Sequence, residues 1–584
     1  YYGGKVLHPR TIIPVAGPGI PVRIRSSFED AVDGGGTLVD GRSTPGSHPV
    51  KCISAVRGHA LVSVEGKGMA GVPGVAARVF QALAAERISV TMISQSSSEA
   101  SITLAIPAAD ALGAETALKR EFRTDITQGQ VDDVVVRPGI GIIAAVGLGM
   151  SHTPGIAGRV MTALGRAGTN VRAIAQGSSE LNISVAVEEG DVDGAVRAVH
   201  RAFGLHRVDT GDDAPNRLDL ILLGSGKIGR ALVELVLDRR QHFLGRFGLE
   251  ARIVALADRS GYLLRPSGIP AGELAEALSA KAAARPLAAF PGGSAAQAPA
   301  ATFVREALRH RLVRPILVDV SDADDSAPAL LEALAAGCDV VTANKKPLAG
   351  SYAQFQSLMA AAAEAGALLR SEATVGAGLP IIDTMMMLLA TGDRLTGVEG
   401  CLSGTLGFVL SQVEDGVAFS TAVARAEELG YTEPDPVADL SGADVARKAL
   451  ILARISGLVQ GEVPLKLEGL VDAGLAGLPR GELHRRLQEY DGPIAARAAA
   501  ARERGAVLRY LARVADGRVE VGLTAVPRDS APGTLRGTDN LVLFRSERYA
   551  DRPLVVVGPG AGVSVTAMGV LTDIARIAAE RRAV

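Results

Sequence analysis

A chain of 584 residues is too long for one hydrophobic core, and roughly three to five domains are expected at ~100–200 residues each. Apolar residues make up 47% and charged residues 21%, the balance of a soluble globular protein. With 61 Lys and Arg against 63 Asp and Glu, a net charge of -2 excludes a general attraction to nucleic acid or an acidic membrane surface. Three scattered cysteines, Cys52, Cys338 and Cys401, argue for a reducing compartment and against a disulfide framework or a metal cluster. No apolar run reaches the ~18 residues needed to span a bilayer, and the opening Tyr1-Tyr2-Gly3-Gly4-Lys5 lacks a secretory h-region, so a cytoplasmic location is expected. The chain opens without methionine, inside what reads as an ordered segment, so a true N-terminus further upstream is expected.

Residues 66–106 recur without gaps at 147–187, an offset that carries Pro73 to Pro154 and Gln95 to Gln176. Gly66, Gly68, Met69, Gly74, Arg78, Val79, Ala82, Leu83, Ser97, Ser98, Glu99 and Ile102 also meet their own residue type in the second copy, which a duplication explains most simply. Each copy reads as one βαββ unit. In the first, a strand at 60–65, a Gly-Pro turn, a helix at 74–86 and a strand at 89–94 lead through Ser-Ser-Glu to an alternating strand at 101–106. The pair resembles tandem ACT domains, modules that sense small molecules. The preceding Gly4-Lys5-Val6-Leu7-His8-Pro9-Arg10-Thr11-Ile12 resembles the stretch that closes the catalytic domain of aspartokinases. This resemblance puts Gln95 and Gln176 at effector-contacting positions, although by residue type alone Gln and Ser-Ser-Glu also cap turns between strands. The Gly-rich, Lys-bearing motif of the kinase family is not in these residues, so aspartate phosphorylation is not expected of them.

A polar, turn-prone stretch at 211–216 precedes an apolar strand at 218–223 that runs into Gly224-Ser225-Gly226-Lys227-Ile228-Gly229 and a helix at 230–237. Such glycines permit a tight turn, close approach of backbone N–H groups to a pyrophosphate, and close packing of helix on strand. Strand before and helix after make the motif a strong dinucleotide signal. A second strand at 251–257 ends at Asp258-Arg259; Asp258 suits a ribose hydroxyl and Arg259 a 2′-phosphate, leaving NAD or NADP open. Residues 281–301, rich in Ala, Pro and Gly, read as a loose surface connection. A third strand at 315–320 leads to Ser321-Asp322, and a helix at 327–336 precedes a strand at 339–342 that ends in Ala343-Asn344-Lys345-Lys346-Pro347. Ligands bind just past the carboxyl ends of such strands, so Lys345 is well placed to meet nicotinamide and substrate.

Further on come EATVGAGLP at 372–380, SGTLG at 403–407 and YTEPDP at 431–436, whose Pro434 and Pro436 read as forbidding helix until periodicity resumes after Gly442. In the following helix Asp444 and Lys448 share one face, where a carboxylate can hold an ammonium beside a bound carbonyl; alone, that pair reads as a solvated surface ion pair.

This ordered set, with Gly558-Pro559-Gly560-Ala561-Gly562 at the end, resembles homoserine dehydrogenase over 218–584; joined to the ACT pair, the chain resembles a bifunctional aspartokinase/homoserine dehydrogenase without its kinase. The resemblance implies reversible NAD(P)H-dependent reduction of aspartate 4-semialdehyde to homoserine. It implies Lys448 and Lys345 at the carbonyl oxygen, and Asp444, Asp439, Glu433 and Thr405 as substrate contacts. Gly224, Gly226, Lys227, Ile228, Gly229, Asp258, Arg259, Ser321, Ala343, Lys345 and Gly562 are implied as cofactor contacts. It also implies a sodium site on the carbonyls of Glu372, Val375, Ala377 and Leu379, where a plain tight turn is the other reading. Two departures bear on the cofactor: Asp322, which would repel a phosphate, follows Ser321, and Val563-Ser564 stand where an amide-bearing residue is typical.

The expected architecture is multidomain α/β and α+β. It comprises an aspartokinase remnant (1–48), tandem βαββ ACT domains (49–128 and 129–211), a Rossmann-type NAD(P)-binding domain (212–346), an α+β catalytic and dimerisation domain (347–556), and a segment returning to the nucleotide-binding domain (557–584). Feedback by an amino acid, threonine by resemblance, and assembly into a homo-oligomer, dimer or tetramer, are expected. Two other readings stand: an amino-acid sensor with a vestigial dehydrogenase, and a Rossmann oxidoreductase for another small carbonyl compound.

Overall fold

The computed structural model describes residues 9–25, 37–40, 49–205 except 99 and 152, 217–294 except 284, and 299–582 except 311. Glu99 of the repeat, residues 4–8 of the kinase-like stretch and the 211–216 connection therefore lie outside the described residues. Contacts divide the chain into two units, Tyr1–Asp209 and Thr210–Val584.

In the first unit, a helix Pro9–Ala16 and a ribbon of Val22–Ile24 with Thr37–Val39 precede the repeats. Two long strands dominate, Cys52–Glu65 and Asp133–Val146, paired antiparallel along their length. Both carry a glycine at positive φ, Gly58 at +72° and Gly139 at +73°, and the register shifts between Val56 and His59. The far half, His59–Glu65, pairs with Ser101–Pro107, which pairs with Met92–Gln95. Residues 140–146 pair instead with Asn182–Glu188, and that strand with Ala173–Gln176. Each repeat is thus βαββαβ where βαββ is expected. The first is closed by the strand half at 133–137, and the second by residues 52–56, which precede both in sequence. The expected division at 128/129 therefore falls short of the chain's own partition.

The helices follow from period: Val75–Ala85 buries Val79 and Leu83, and Ile156–Arg166 buries Ile156, Val160, Ala163 and Leu164. Both start at a left-handed glycine, Gly74 or Gly155, on matched positions. A small core of Leu61, Met92, Ala105, Ile140, Ile142, Ala173 and Ala186 draws on both repeats.

The second unit begins with a seven-stranded sheet in the order Gly293–Ser294, Gly261–Leu264, Glu250–Asp258, Arg217–Leu223, Ile316–Asp319, Asp339–Thr342, Leu369–Arg370. The last five strands are parallel, and the strand order reverses beside Arg217–Leu223, the switch point at which doubly wound sheets bind ligands. Apolar runs such as Leu218–Leu223 suit strands covered on both faces. Strand Leu369–Arg370 lies beyond residue 346, the expected end of this domain. Residues 281–301 are less loose than expected, since they hold the end of helix Ala271–Ala282 and the strand Gly293–Ser294. A second sheet of six strands runs Leu465–Leu467, Arg518–Pro527, Ala506–Ala515, Leu395–Cys401, Asp539–Ser546, Leu554–Pro559. One continuous core joins the two sheets, from Ile221 and Leu317 through Leu348 and Ile381 to Leu406, Ile451 and Val514. The final helix, Val563–Arg582, returns to pack along Lys227–Asp238.

Candidate active site

The glycines of the first turn divide their work by geometry. A Cβ on Gly224, at φ +113°, would lie 2.9 Å from the Val320 carbonyl, and one on Gly229 only 2.0 Å from the Gly224 carbonyl, so both are set by packing. A Cβ on Gly226 would meet nothing within 4 Å, which leaves that side of its backbone open at the start of helix Lys227–Asp238, with Lys227 exposed and Ile228 half-buried. Asp258 ends the next strand and is held by Ser225 Oγ, by Ser260 N–H at 2.7 Å and by Lys281 Nζ at 2.9 Å. Burial would raise its carboxyl, yet Ser225, Ser260 and Lys281 hold it below the usual carboxylate range. Arg259 beside it is exposed.

Past the third and fourth parallel strands a buried network forms the loop carrying Lys345. Ser321 Oγ donates to Asp319 at 2.6 Å, Ala343 N–H to the Asp319 carbonyl at 2.8 Å, and Asn344 Nδ2 to the Ala323 carbonyl at 2.8 Å and Ser326 Oγ at 3.0 Å. Lys346 is spent on Asp322 and Asp324, both at 2.9 Å, which leaves the Asp322 charge compensated. Lys345, next to it, turns elsewhere.

Its Nζ lies 3.3 Å from Asp444 Oδ1, while Lys448 Nζ lies 3.0 Å from Oδ2 of the same carboxylate and donates to the Leu402 carbonyl at 2.7 Å. Two lysines separated by a hundred residues of chain therefore meet across one aspartate. The Lys345 and Asp444 side chains are 30% and 37% exposed, so the cluster opens to solvent, whereas Lys448 is 12% exposed. Burial would raise the Asp444 carboxyl, but the ammonium groups of Lys448 and Lys345 outweigh it and keep it far below the usual range.

The helix bearing Asp444 and Lys448, Ala443–Ile455, starts at Gly442, where φ is +73° and a Cβ would stand 1.8 Å from Tyr510 Oη. Immediately before it Pro434 stands outside helix as expected, but Pro436 does not forbid it: Pro436 occupies the first position of a short helix, Pro436–Leu440, where a missing N–H is harmless, and Asp435 caps it by accepting from Val437 N–H. Asp439 of that turn faces Thr405, whose Oγ1 lies 3.3 Å from Oδ1 and donates to the Tyr431 carbonyl; Oδ2 accepts Glu433 N–H at 2.8 Å. Burial raises the Asp439 carboxyl, with Glu433 and Asp444 adding like-charge repulsion. The Glu433 residue itself is exposed.

Loop 372–380 is clasped at both ends. The Glu372 carboxylate accepts Ile382 N–H at 2.7 Å and Asp383 N–H at 2.8 Å, and Glu372 N–H donates to Asp573 of the last helix at 2.9 Å. Burial pushes Glu372 up to about 8 and Asp573 up to about 7. Ala377 stands at φ +57°, a strained value for a residue with a Cβ. The carbonyls of Glu372 and Leu379 each accept a backbone N–H, whereas those of Val375 and Ala377, in buried residues, accept none among the described residues. No cluster of three His, Cys, Asp or Glu fit to hold a metal occurs among the described residues, so a cation here would rest on carbonyl oxygens. Gly562, at φ +122°, starts the helix whose Val565 lies against Gly378. Gln95 and Gln176 sit exposed at the ends of matching strands, each paired through its backbone with an isoleucine, Ile102 or Ile183.

Family models match in the order of the fold: ACT domain at 62–122 and 143–203, the NAD binding domain of homoserine dehydrogenase at 224–372, and homoserine dehydrogenase at 380–575. A bifunctional aspartokinase/homoserine dehydrogenase of Haemophilus influenzae is 35% identical across 99% of this chain and 68% of its own length. The chain belongs to the bifunctional aspartokinase/homoserine dehydrogenase family. The chloroplastic bifunctional enzyme 1 of Arabidopsis thaliana is 36% identical over 99% of this chain, which spans 62% of that protein. Among solved structures, a Candida auris protein of unknown function superposes with a TM-score of 0.54 at 31% identity, covering 62% of this chain and 98% of its own. Among the described residues no helix is long and apolar enough to cross a membrane.

Some residues of this site escape sequence reading. Lys281 lies outside every motif, and only the fold brings it to Asp258; Asn344 sits inside a motif, but its amide serves the loop's shape and leaves no sequence signal beyond its strand-end position.

Proposed function

We propose that this chain catalyses the reversible reduction of L-aspartate 4-semialdehyde to L-homoserine. The observation that carries the reading is the Lys345–Asp444–Lys448 bridge, set beside the carboxyl end of a parallel strand in a sheet that matches the NAD binding domain of this family. A nicotinamide dinucleotide with its pyrophosphate at the Gly224–Gly229 turn would supply the hydride. As the aldehyde carbon is reduced, its oxygen gains charge, and an ammonium beside it both stabilises the developing alkoxide and delivers the proton. Asp444 holds the two ammonium groups together. Lys448, the more buried, suits proton delivery, and Lys345 polarises the carbonyl from the cofactor side. Glu433 presents an exposed carboxylate to the substrate's ammonium, while Asp439 and Thr405 shape the loop that carries it and keep lone pairs for further contacts.

Lys281 and exposed Arg259 together favour a 2′-phosphate, and hence NADP over NAD, because Lys281 already offsets the charge of Asp258. The Val375 and Ala377 carbonyls support a monovalent cation such as sodium in loop 372–380. Gln95 and Gln176 are assigned to an amino-acid effector, threonine, acting as feedback inhibitor. Exposed Leu465, Leu467, Val555 and Val557 on the outer strands of the six-stranded sheet support a homo-oligomer. Scattered cysteines suit a reducing compartment such as the cytoplasm. The test is a spectrophotometric assay of the purified chain with aspartate 4-semialdehyde and each nicotinamide cofactor, with and without threonine. Oxidation of NADPH is expected, slowed by threonine; an absence of turnover with either cofactor refutes the reading.

A further inference from the structure

Lys345 and the Asp444–Lys448 pair are carried by different segments of the chain. Lys345 caps the short helix Lys346–Ala349, which follows the nucleotide-domain strand Asp339–Thr342, whereas Asp444 and Lys448 ride on Ala443–Ile455. Another side chain of that same helix spans the gap. Arg454, with its side chain 1% exposed, donates Nη1 to the Leu348 carbonyl at 2.6 Å, in the helix that Lys345 caps. Its Nη2 lies 4.0 Å from Glu462, whose other oxygen accepts Tyr352 N–H at 2.8 Å, and its guanidinium carbon stands 5.9 Å from the Phe355 ring. Tyr352 and Phe355 belong to the next helix, Tyr352–Ala365. The Nε of Arg454 is buried without a partner among the described residues.

That is poor compensation for a charge removed from water. Glu462 is 73% exposed and at the limit of an ion pair, the ring contact is distant, and only the Leu348 carbonyl is close. An unbranched apolar side chain would fill the space with no charge to desolvate. It would not supply a directional bond between the catalytic helix and the segment that carries Lys345. We propose that Arg454 is a positioning residue whose bond to the Leu348 carbonyl sets the separation of Lys345 from Lys448, and with it the alignment of both ammonium groups on the substrate oxygen. This rests on the two-lysine reading above.

The experiment compares Arg454→Met, Arg454→Lys, Lys345→Ala and the double variant Arg454→Met/Lys345→Ala in the full chain. It reads kcat, KM for NADPH and for aspartate semialdehyde, and melting temperature. Arg454→Met is expected to keep its melting temperature and its KM for NADPH while kcat falls roughly 10- to 100-fold, the scale of a misplacement near 1 Å. Arg454→Lys, which can still donate one bond, is expected to recover part of that loss. In the Lys345→Ala background the same methionine substitution is expected to cost less than about twofold, because the group it positions is gone. A folded Arg454→Met enzyme with full kcat, or a penalty that multiplies unchanged in the Lys345→Ala background, overturns the proposal. Should Arg454→Met fail to fold, the cycle is run with Arg454→Leu, which likewise has no donor, and the same two results overturn it. Undiminished turnover in Lys345→Ala alone overturns the two-lysine reading, and this proposal with it.

Discussion

Gly442→Ala tests how tightly the catalytic helix is anchored. The alanine must hold φ near +73° at the helix start, and its methyl would stand 1.8 Å from Tyr510 Oη and 2.7 Å from Cζ. Tyr510 is 4% exposed, so its ring cannot swing into solvent without opening the core between strand Ala506–Ala515 and the helix. Its hydroxyl also donates to the Glu468 carbonyl at 2.8 Å, a bond that any retreat of the ring breaks. The left-handed backbone, the overpacked ring and the lost bond together cost roughly 3–6 kcal/mol. If the helix yields instead of the ring, Asp444 two residues later moves and the lysine bridge opens. Urea unfolding of the Thr210–Val584 unit, followed beside kcat, separates the routes: a lowered midpoint with normal kcat means the ring moved, and a preserved midpoint with depressed kcat means the helix did. A variant indistinguishable from the parent in both would refute the packing argument.

Lys448→Met keeps the aliphatic volume of a side chain that is 12% exposed but removes the donor, and kcat is expected to fall by about 10²–10⁴ in a stopped-flow or steady-state assay with the fold intact by circular dichroism. Lys281→Ala is expected to raise KM for NADPH more than KM for NADH, measured as the ratio of kcat/KM for the two cofactors; an unmoved ratio removes Lys281 from cofactor choice. Glu372 and Asp573, raised to about 8 and about 7, bind protons in the folded chain that the unfolded chain has released. Stability is therefore expected to fall as pH climbs from the ordinary carboxylate range through 7–8, and Asp573→Asn to flatten that slope in melting temperatures taken across the range.

Much of this architecture is legible in the sequence because its signals are local. The glycines of 224–229 announce a turn whose steric needs sit in adjacent residues, and the strand at 339–342 stands where its apolar run ends. The two lysines could be named, since Lys345 lies just past a strand end and Lys448 on the helix that follows a Pro-rich segment, both of which a family pattern marks. What was hidden depends on residues far apart in the chain. The pairing of 52–56 with 142–146 leaves no periodicity of its own, and the Ala-rich stretch around Lys281 looks featureless until a helix brings the ammonium to Asp258. Pro436 misled because a residue that ends helices in their interior also opens them, and only Asp435 as a cap distinguishes the two.

The borrowed strand at 52–56 means that neither ACT module is a severable part. Trimming the chain just ahead of His59 would leave the earlier repeat with all its own strands and strip the later one of its outermost hydrogen-bonding neighbour, so damage ahead of the first repeat would surface in the second. A single ACT module cut from this region at the apparent repeat boundary would carry a raw edge ready to pair with another chain.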